Sequence, residues 1–167
     1  MSWAIPRFAD VQKFPITSSG LQRLEEELRT LKGVERPAVI RAIAEARTHG
    51  DLSENAEYDA AREKQSFIEG RIAELETVVG ASEVIDPTTL SGDVVKFGAL
   101  VTVVDEDTDK ESSYQIVGVY EADLKQKRLS ISAPLAKALI GKKVGDTISV
   151  PAPGGDRSYE ILSVRFK

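Results

Sequence analysis

Two helical stretches joined by a turn of only a few residues leave this chain one local solution, a hairpin. Leu21, Leu24, Leu28 and Leu31 recur at steps of three and four, the spacing of one helix face. Ile40 and Ile43 extend that stripe, and Arg23, Glu25, Glu26, Glu27, Arg29 and Lys32 surround it with charge. Gly33 and Pro37 interrupt the pattern, which predicts a break or kink near them. The helical pattern resumes through RPAVIRAIAEAR and stops at Thr48-His49-Gly50, where Gly50 suits a position just past a helix end. A second pattern runs from about Ser53 to Val79, with Ala56, Ala60, Phe67, Ile68, Ile72, Leu75 and Val79 on its apolar side. Helices so joined pack antiparallel. At ~1.5 Å per residue an arm of roughly 30 residues reaches about 45 Å, and HGDLSEN forms its far end.

The flanks read differently. Residues 1–16 contain Pro6 and Pro15, show little periodicity, and are expected to form an N-terminal arm. After Gly80 come short β-branched runs broken by Gly, Pro and Asp, which signal strands and turns. VIDPTTLSGDVVKFGALVTVVDEDTD reads as strands and turns, and YQIVGVY, RLSIS, DTISVPA and YEILSVRF continue as strands. One short helix is expected at PLAKALIG, where Pro134 suits the first turn and Gly141 the end. The expected class is α+β: an arm (1–16), a coiled-coil hairpin (17–80), and a small antiparallel β domain with one helix (81–167). Neither half is large enough for a big core.

Composition removes several functions. The chain has 167 residues and no cysteine, so disulfides, thiolate metal sites and cysteine nucleophiles are excluded. Its one histidine, His49, rules out a His-rich metal site. The absence of cysteine, of a basic-then-apolar leader and of a long apolar run fits a cytosolic protein without a membrane span. The net charge of −5 argues against free duplex DNA as the main partner, because each phosphate contact needs a cation. Any DNA association is expected to be weak or indirect.

The turn carries the chemistry. Asp51 followed three residues later by Glu54 matches a capping box, with Asp51 as N-cap of the second helix. Acidic residues also favour helix N-termini electrostatically. This plainer account needs no function. The alternative is that an exposed tip presents two carboxylates together as hard oxygen ligands for Mg²⁺. Two ligands alone hold that ion poorly, so the tip would be half of a site that a partner completes. The two accounts are compatible, since caps can also preorganise ligands.

HGDLSENAEYDAAREKQ resembles the tip signature of the Gre family of transcript-cleavage factors, and RPAVIRAIAEAR and EGRIAELE resemble its flanking helices. FGALVTVVDEDTDKESSYQIVGVYEAD and SAPLAKALIGKKVGDTISVPAPGG resemble the FKBP-like second domain of that family. The likeness covers roughly residues 14–167 and leaves out the lead-in. It implies a factor that binds the RNA polymerase core at its secondary channel and channel rim. Asp51 and Glu54 would then be lent to the polymerase's metal centre, helping to hold a shared Mg²⁺ for cleavage of the backtracked nascent RNA 3′ end. Such a protein is no enzyme alone. It takes no small-molecule substrate.

Other residues have two readings each. Ser53, Asn55 and Tyr58 would support the tip chemistry, or else cap the second helix (Ser53, Asn55) and pack across the hairpin (Tyr58). Arg47, Arg62 and Lys64 would contact the extruded RNA, or else balance Glu45, Glu57 and Glu63. His49 has the right ordinary pKa for a general base, but a lone His beside a Gly turn is usually just solvated. Ser132, Ala133 and Pro134 would touch the polymerase rim, or else Ser132 caps the short helix. Many relatives carry a polar residue where Ala133 stands. An FKBP-like fold does not by itself imply prolyl isomerase activity. Two rival functions remain at this stage: a channel plug that inhibits polymerase without stimulating cleavage, and a coiled-coil adaptor or chaperone.

Overall fold

A computed structural model describes residues 13–51 and 55–167. The chain divides into two compact units: Leu21–Ala81, and a unit joining the chain before Leu21 to Ser82–Lys167.

The hairpin is built from α1 (Ser18–Thr30), α2 (Arg36–Arg47) and α3 (Ala56–Gly80). The break or kink predicted near Gly33 and Pro37 takes the form of a π-helical turn, Leu31–Glu35, between α1 and α2. Residues 31–35 keep helical dihedrals at both ends, and the Arg36 N–H donates to Leu31 O, one residue beyond α-helical reach. This wider turn lets the chain pass Pro37, whose missing N–H falls in the first turn of α2.

Val39, Ile43 and Ala46 of α2 and Ala61, Ile68, Ile72, Leu75 and Val78 of α3 are buried. Val39, Ile68 and Ile72 pack together with Leu28 and Leu31 against them. Each such aliphatic side chain contributes about 1.5–3 kcal/mol on full burial. The buried face of α3 is therefore offset from the expected one. Phe67 is 73% exposed and Ile40 51% exposed, and Ala56 and Ala60 face solvent. One residue is a rotation of roughly 100° on a helix, and with Ile68 inward Phe67 must point away.

Ion pairs across the hairpin fix its register. Arg36 bonds Glu69 through Nε and Nη2, both at 2.8 Å. Arg71 bonds Glu27 through Nε at 2.7 Å and Nη2 at 3.0 Å. Lys32 pairs with Glu76, and Lys64 with Glu35 at 3.6 Å. In each pair an early residue meets a late one, as antiparallel packing requires. The hydrogen bond from Arg36 holds the Glu69 carboxyl below its ordinary pKa, and the bonds Arg71 donates to Glu27 push the Arg71 guanidinium above its ordinary value. Exposed pairs of this kind are screened by solvent, so they select register more than they stabilise.

The second unit contains two sheets. β1 (Phe14–Thr17) pairs parallel with β2 (Ser82–Ile85). Phe14, Pro15 and Ile16, assigned to the arm by sequence, thus form a strand with Thr17. Pro15 is tolerated because a two-stranded ribbon has only edges. Residues 1–12 of the expected arm lie outside the described residues. The larger sheet has the order β5-β4-β3-β7-β6, with β3 Ala99–Asp105, β4 Glu111–Val117, β5 Arg128–Ser130, β6 Thr147–Val150 and β7 Arg157–Phe166. It is antiparallel except where β4 meets β5, which run parallel.

Along β3, Ala99, Val101, Val103 and Asp105 are buried in strict alternation. The apolar members join Ile116, Leu129, Ile148, Ile161 and the buried Ala136 and Leu139 of α4 (Pro134–Leu139) in one core. Asp105, at the end of this row, accepts from the Asp107 and Thr108 N–H groups and from Arg157 at 3.1 Å. Those donors, the Asp107 amide foremost, hold its carboxyl below the ordinary value. Among the described residues no helix is long and apolar enough to cross a membrane.

Candidate functional site

The tip is closed by backbone and side-chain bonds at the end of α2. Thr48 donates from N to Glu45 O at 3.0 Å and from Oγ1 to the same oxygen at 2.6 Å. The His49 N–H bonds Ala46 O at 3.2 Å. Gly50 then takes φ +103°, a conformation disfavoured for side-chain-bearing residues, and turns the chain out of the helix.

The second helix does not start at Asp51. It starts at Ala56, with Asn55 as N-cap: Asn55 Oδ1 accepts from the Tyr58 N–H at 3.0 Å. Asn55 Nδ2 also donates to Ala46 O at 2.6 Å, joining the end of α2 to the start of α3. One side chain therefore satisfies an orphan donor of α3 and adds a side-chain bond to the Ala46 carbonyl, which also accepts from the His49 N–H. The N-cap position assigned to Asp51 from the sequence belongs to Asn55.

Asp51 is exposed and lines an open depression with His49, Asn55, Ala56 and Glu57. Its carboxylate supplies the hard oxygen donors that Mg²⁺ takes. Among the described residues no three His, Cys, Asp or Glu side chains converge in a metal-binding group. Ser53 and Glu54, the other candidates of this turn, lie outside the described residues. The His49 imidazole faces Glu57, with Nε2 3.8 Å from Oε2, and both side chains are mostly exposed.

Tyr58 is half-buried, with the Arg47 guanidinium 6.0 Å from its ring centroid. That distance is at the edge of cation–π range. The three predicted cations do not gather. Arg47 and Arg62 line one groove with Ile40, Ile43, Ala44 and Gln65, whereas Lys64 is engaged with Glu35. Ile40, Ala44 and Gln65 were missed by sequence reasoning. For the α2 members the signal was available, since residues 40, 43, 44 and 47 follow helical steps of three and four.

In the sheet unit, Ser132 does not cap α4. The N-cap is Ala133, which makes no side-chain bond. Ser132 instead shares a 2.8 Å hydrogen bond between its hydroxyl and that of Ser130. Ala133 N–H donates to Ser130 O at 2.9 Å, so Ser132, Ala133 and Pro134 form a tight corner before α4.

Comparison with known proteins covers both units. Residues 14–84 match the N-terminal domain of a transcription elongation factor family, and residues 90–166 match the GreA/GreB C-terminal domain. The transcription elongation factor GreA of Acidiphilium cryptum is 74% identical over 93% of this chain and 99% of its own. That of Rhodospirillum rubrum is 65% identical over the same shares. A solved GreA/GreB factor from Nitrosomonas europaea is 26% identical, with 92% of this chain and 100% of that one covered and a TM-score of 0.42.

Proposed function

Because the chain belongs to the family of GreA/GreB transcription elongation factors, we propose that it binds RNA polymerase and stimulates cleavage of backtracked nascent RNA. On this reading it is not catalytic alone. The hairpin enters the secondary channel, and the corner at Ser132, Ala133 and Pro134 meets the channel rim. Any association with DNA runs through the polymerase, in the cytosol.

The observation that carries this reading is the presentation of Asp51. It follows the left-handed Gly50 and stands exposed just beyond α2, whose end Asn55 joins to the start of α3. Asp51, with Glu54 three residues on, would lend oxygen ligands to a Mg²⁺ whose remaining ligands polymerase would supply. A bound Mg²⁺ at such a shared site would activate water and stabilise the leaving oxygen of an in-line displacement. Asn55 joins the two helices beside Asp51, and on this reading Ser53 and Tyr58 are further residues that support the tip chemistry. Arg47 and Arg62, brought into one groove, suit the phosphates of displaced RNA. Lys64, engaged with Glu35, is a poorer candidate for RNA contact.

A channel plug would need the same shape but not the tip acids. Stalled elongation complexes incubated with wild type and with Asp51→Ala separate the two. Short RNA release should require both polymerase and factor, and should collapse with Asp51→Ala. Undiminished release by that variant would refute the ligand role.

A further inference from the structure

The chain passes out of the sheet unit after Gly20 and returns at Ser82. The segment leading to the first of these points is held with uncommon redundancy. Thr17, 1% exposed, accepts from the Gly20 N–H at Oγ1 (3.1 Å) and so caps α1. Glu121, far along the chain and 5% exposed, grips Thr17 in turn. Its Oε1 accepts from Thr17 Oγ1 at 2.5 Å. Its Oε2 accepts from the Thr17 N–H at 2.8 Å and the Gly118 N–H at 3.0 Å. The backbone around it is fixed as well, since Arg128 Nε donates to Glu121 O at 3.0 Å.

Packing leaves no room for slack. A Cβ on Gly20 would lie 2.2 Å from Glu121 Oε1, and one on Gly118 would lie 2.2 Å from Pro15 O. Phe14 meets Tyr120 edge-on, ring centroids 5.2 Å apart. A cap for α1 needs only Thr17. Burying a carboxylate behind it is costly unless the carboxylate is fully hydrogen-bonded, and charge-assisted bonds are the strong and directional ones. The arrangement suits a segment that must stay fixed within the sheet unit.

We infer that Glu121 is a positioning residue for transcript cleavage: by gripping Thr17 it fixes the root of α1 in the sheet unit, so that polymerase holding that unit also holds the root. The inference rests on the proposed cleavage function. Glu121 itself touches neither RNA nor metal.

Three variants test it. Glu121→Ala removes every acceptor. Glu121→Gln keeps an oxygen for the two backbone donors and an amide that can donate to Thr17 Oγ1. Thr17→Val removes the hydroxyl but keeps the N–H. Amide exchange at Thr17 and Gly118 should accelerate in Glu121→Ala while exchange at Tyr58 stays unchanged. At saturating factor, Glu121→Ala should cleave about tenfold more slowly, the factor equivalent to one lost hydrogen bond to a charged group. The factor concentration giving half-maximal cleavage should move by less than about threefold, since no polymerase contact is removed. Glu121→Gln should restore most of the rate, and Thr17→Val should lower it with little further loss in the Thr17→Val, Glu121→Ala double variant.

A wild-type maximal rate for Glu121→Ala overturns the inference. So does a loss confined to the half-maximal concentration, or a Glu121→Gln variant as slow as the alanine. If Glu121→Ala fails to fold, Glu121→Gln and Thr17→Val decide by the same rates. Asp51→Ala, run in parallel, keeps the questions apart: wild-type cleavage by that variant counts against the tip chemistry and leaves the Thr17–Glu121 joint to be judged on its exchange rates.

Discussion

Replacing Asn55 with alanine should open the tip while leaving the rest of the hairpin in place. The side chain makes two bonds, accepting from the Tyr58 N–H at 3.0 Å and donating to Ala46 O at 2.6 Å. Loss of an N-cap costs about 0.5–2 kcal/mol, and loss of a half-buried side chain–backbone bond about 0.5–1.5 kcal/mol. Their sum, about 1–3.5 kcal/mol, centres near 2 kcal/mol, or roughly a 30-fold increase in local opening at 1.4 kcal/mol per decade. Hydrogen exchange at the Tyr58 amide reads this directly, with an amide beside Ile72 as internal control. Asn55→Asp separates the two contributions, because it keeps the cap acceptor and loses only the donor to Ala46 O. The aspartate variant should therefore exchange at an intermediate rate. Wild-type exchange at Tyr58 in Asn55→Ala would refute the assignment of Asn55 as the closing residue. An aspartate variant as open as the alanine would refute the division between its two bonds.

Arg47→Ala and Arg62→Ala should each reduce cleavage of longer backtracked RNAs severalfold, whereas Lys64→Ala should stay close to wild type; release of fragments of graded length is the measure. Phe67→Ser should leave hairpin stability within about 0.5 kcal/mol, while Ile68→Ala should cost about 2–5 kcal/mol, as denaturant unfolding would show. Asp105 has a folded-state pKa below its unfolded one, so its contribution is present above the ordinary carboxylate range and is lost as pH falls through the lower folded value. Acid unfolding of the sheet unit should accordingly show a shallower pH dependence in Asp105→Asn.

Much of the architecture was legible in the sequence because periodicity is a local signal. The steps from Leu21 to Leu31 and the turn at Gly50 sufficed for a hairpin, and alternation in ALVTVVD sufficed for a strand. Where adjacent apolar residues compete, as Phe67 and Ile68 do, the partner helix decides which faces inward. The start of α3 was misplaced for a related reason. Asp51 and Glu54 fit a capping box on paper, but Asn55 can reach Ala46 O as well as the Tyr58 N–H, and that second bond depends on where α2 ends. Pro37 predicted a break that a single wide turn absorbs. The pairing of β1 with β2 and the grip of Glu121 on Thr17 join residues far apart in the chain, and no local pattern announces such contacts. At the candidate site, residue type pointed to the acids, while the Asn55 staple between α2 and α3 required the fold.

The central claim is that the tip acids complete a magnesium site that polymerase holds only in part. A Mg²⁺ titration of factor-dependent RNA release from a backtracked complex, using wild type, Asp51→Asn and Glu54→Gln, tests it most directly. Each variant should need more Mg²⁺ for half-maximal release and reach a lower plateau, with polymerase binding unchanged. Superimposable titration curves for all three proteins would contradict the account.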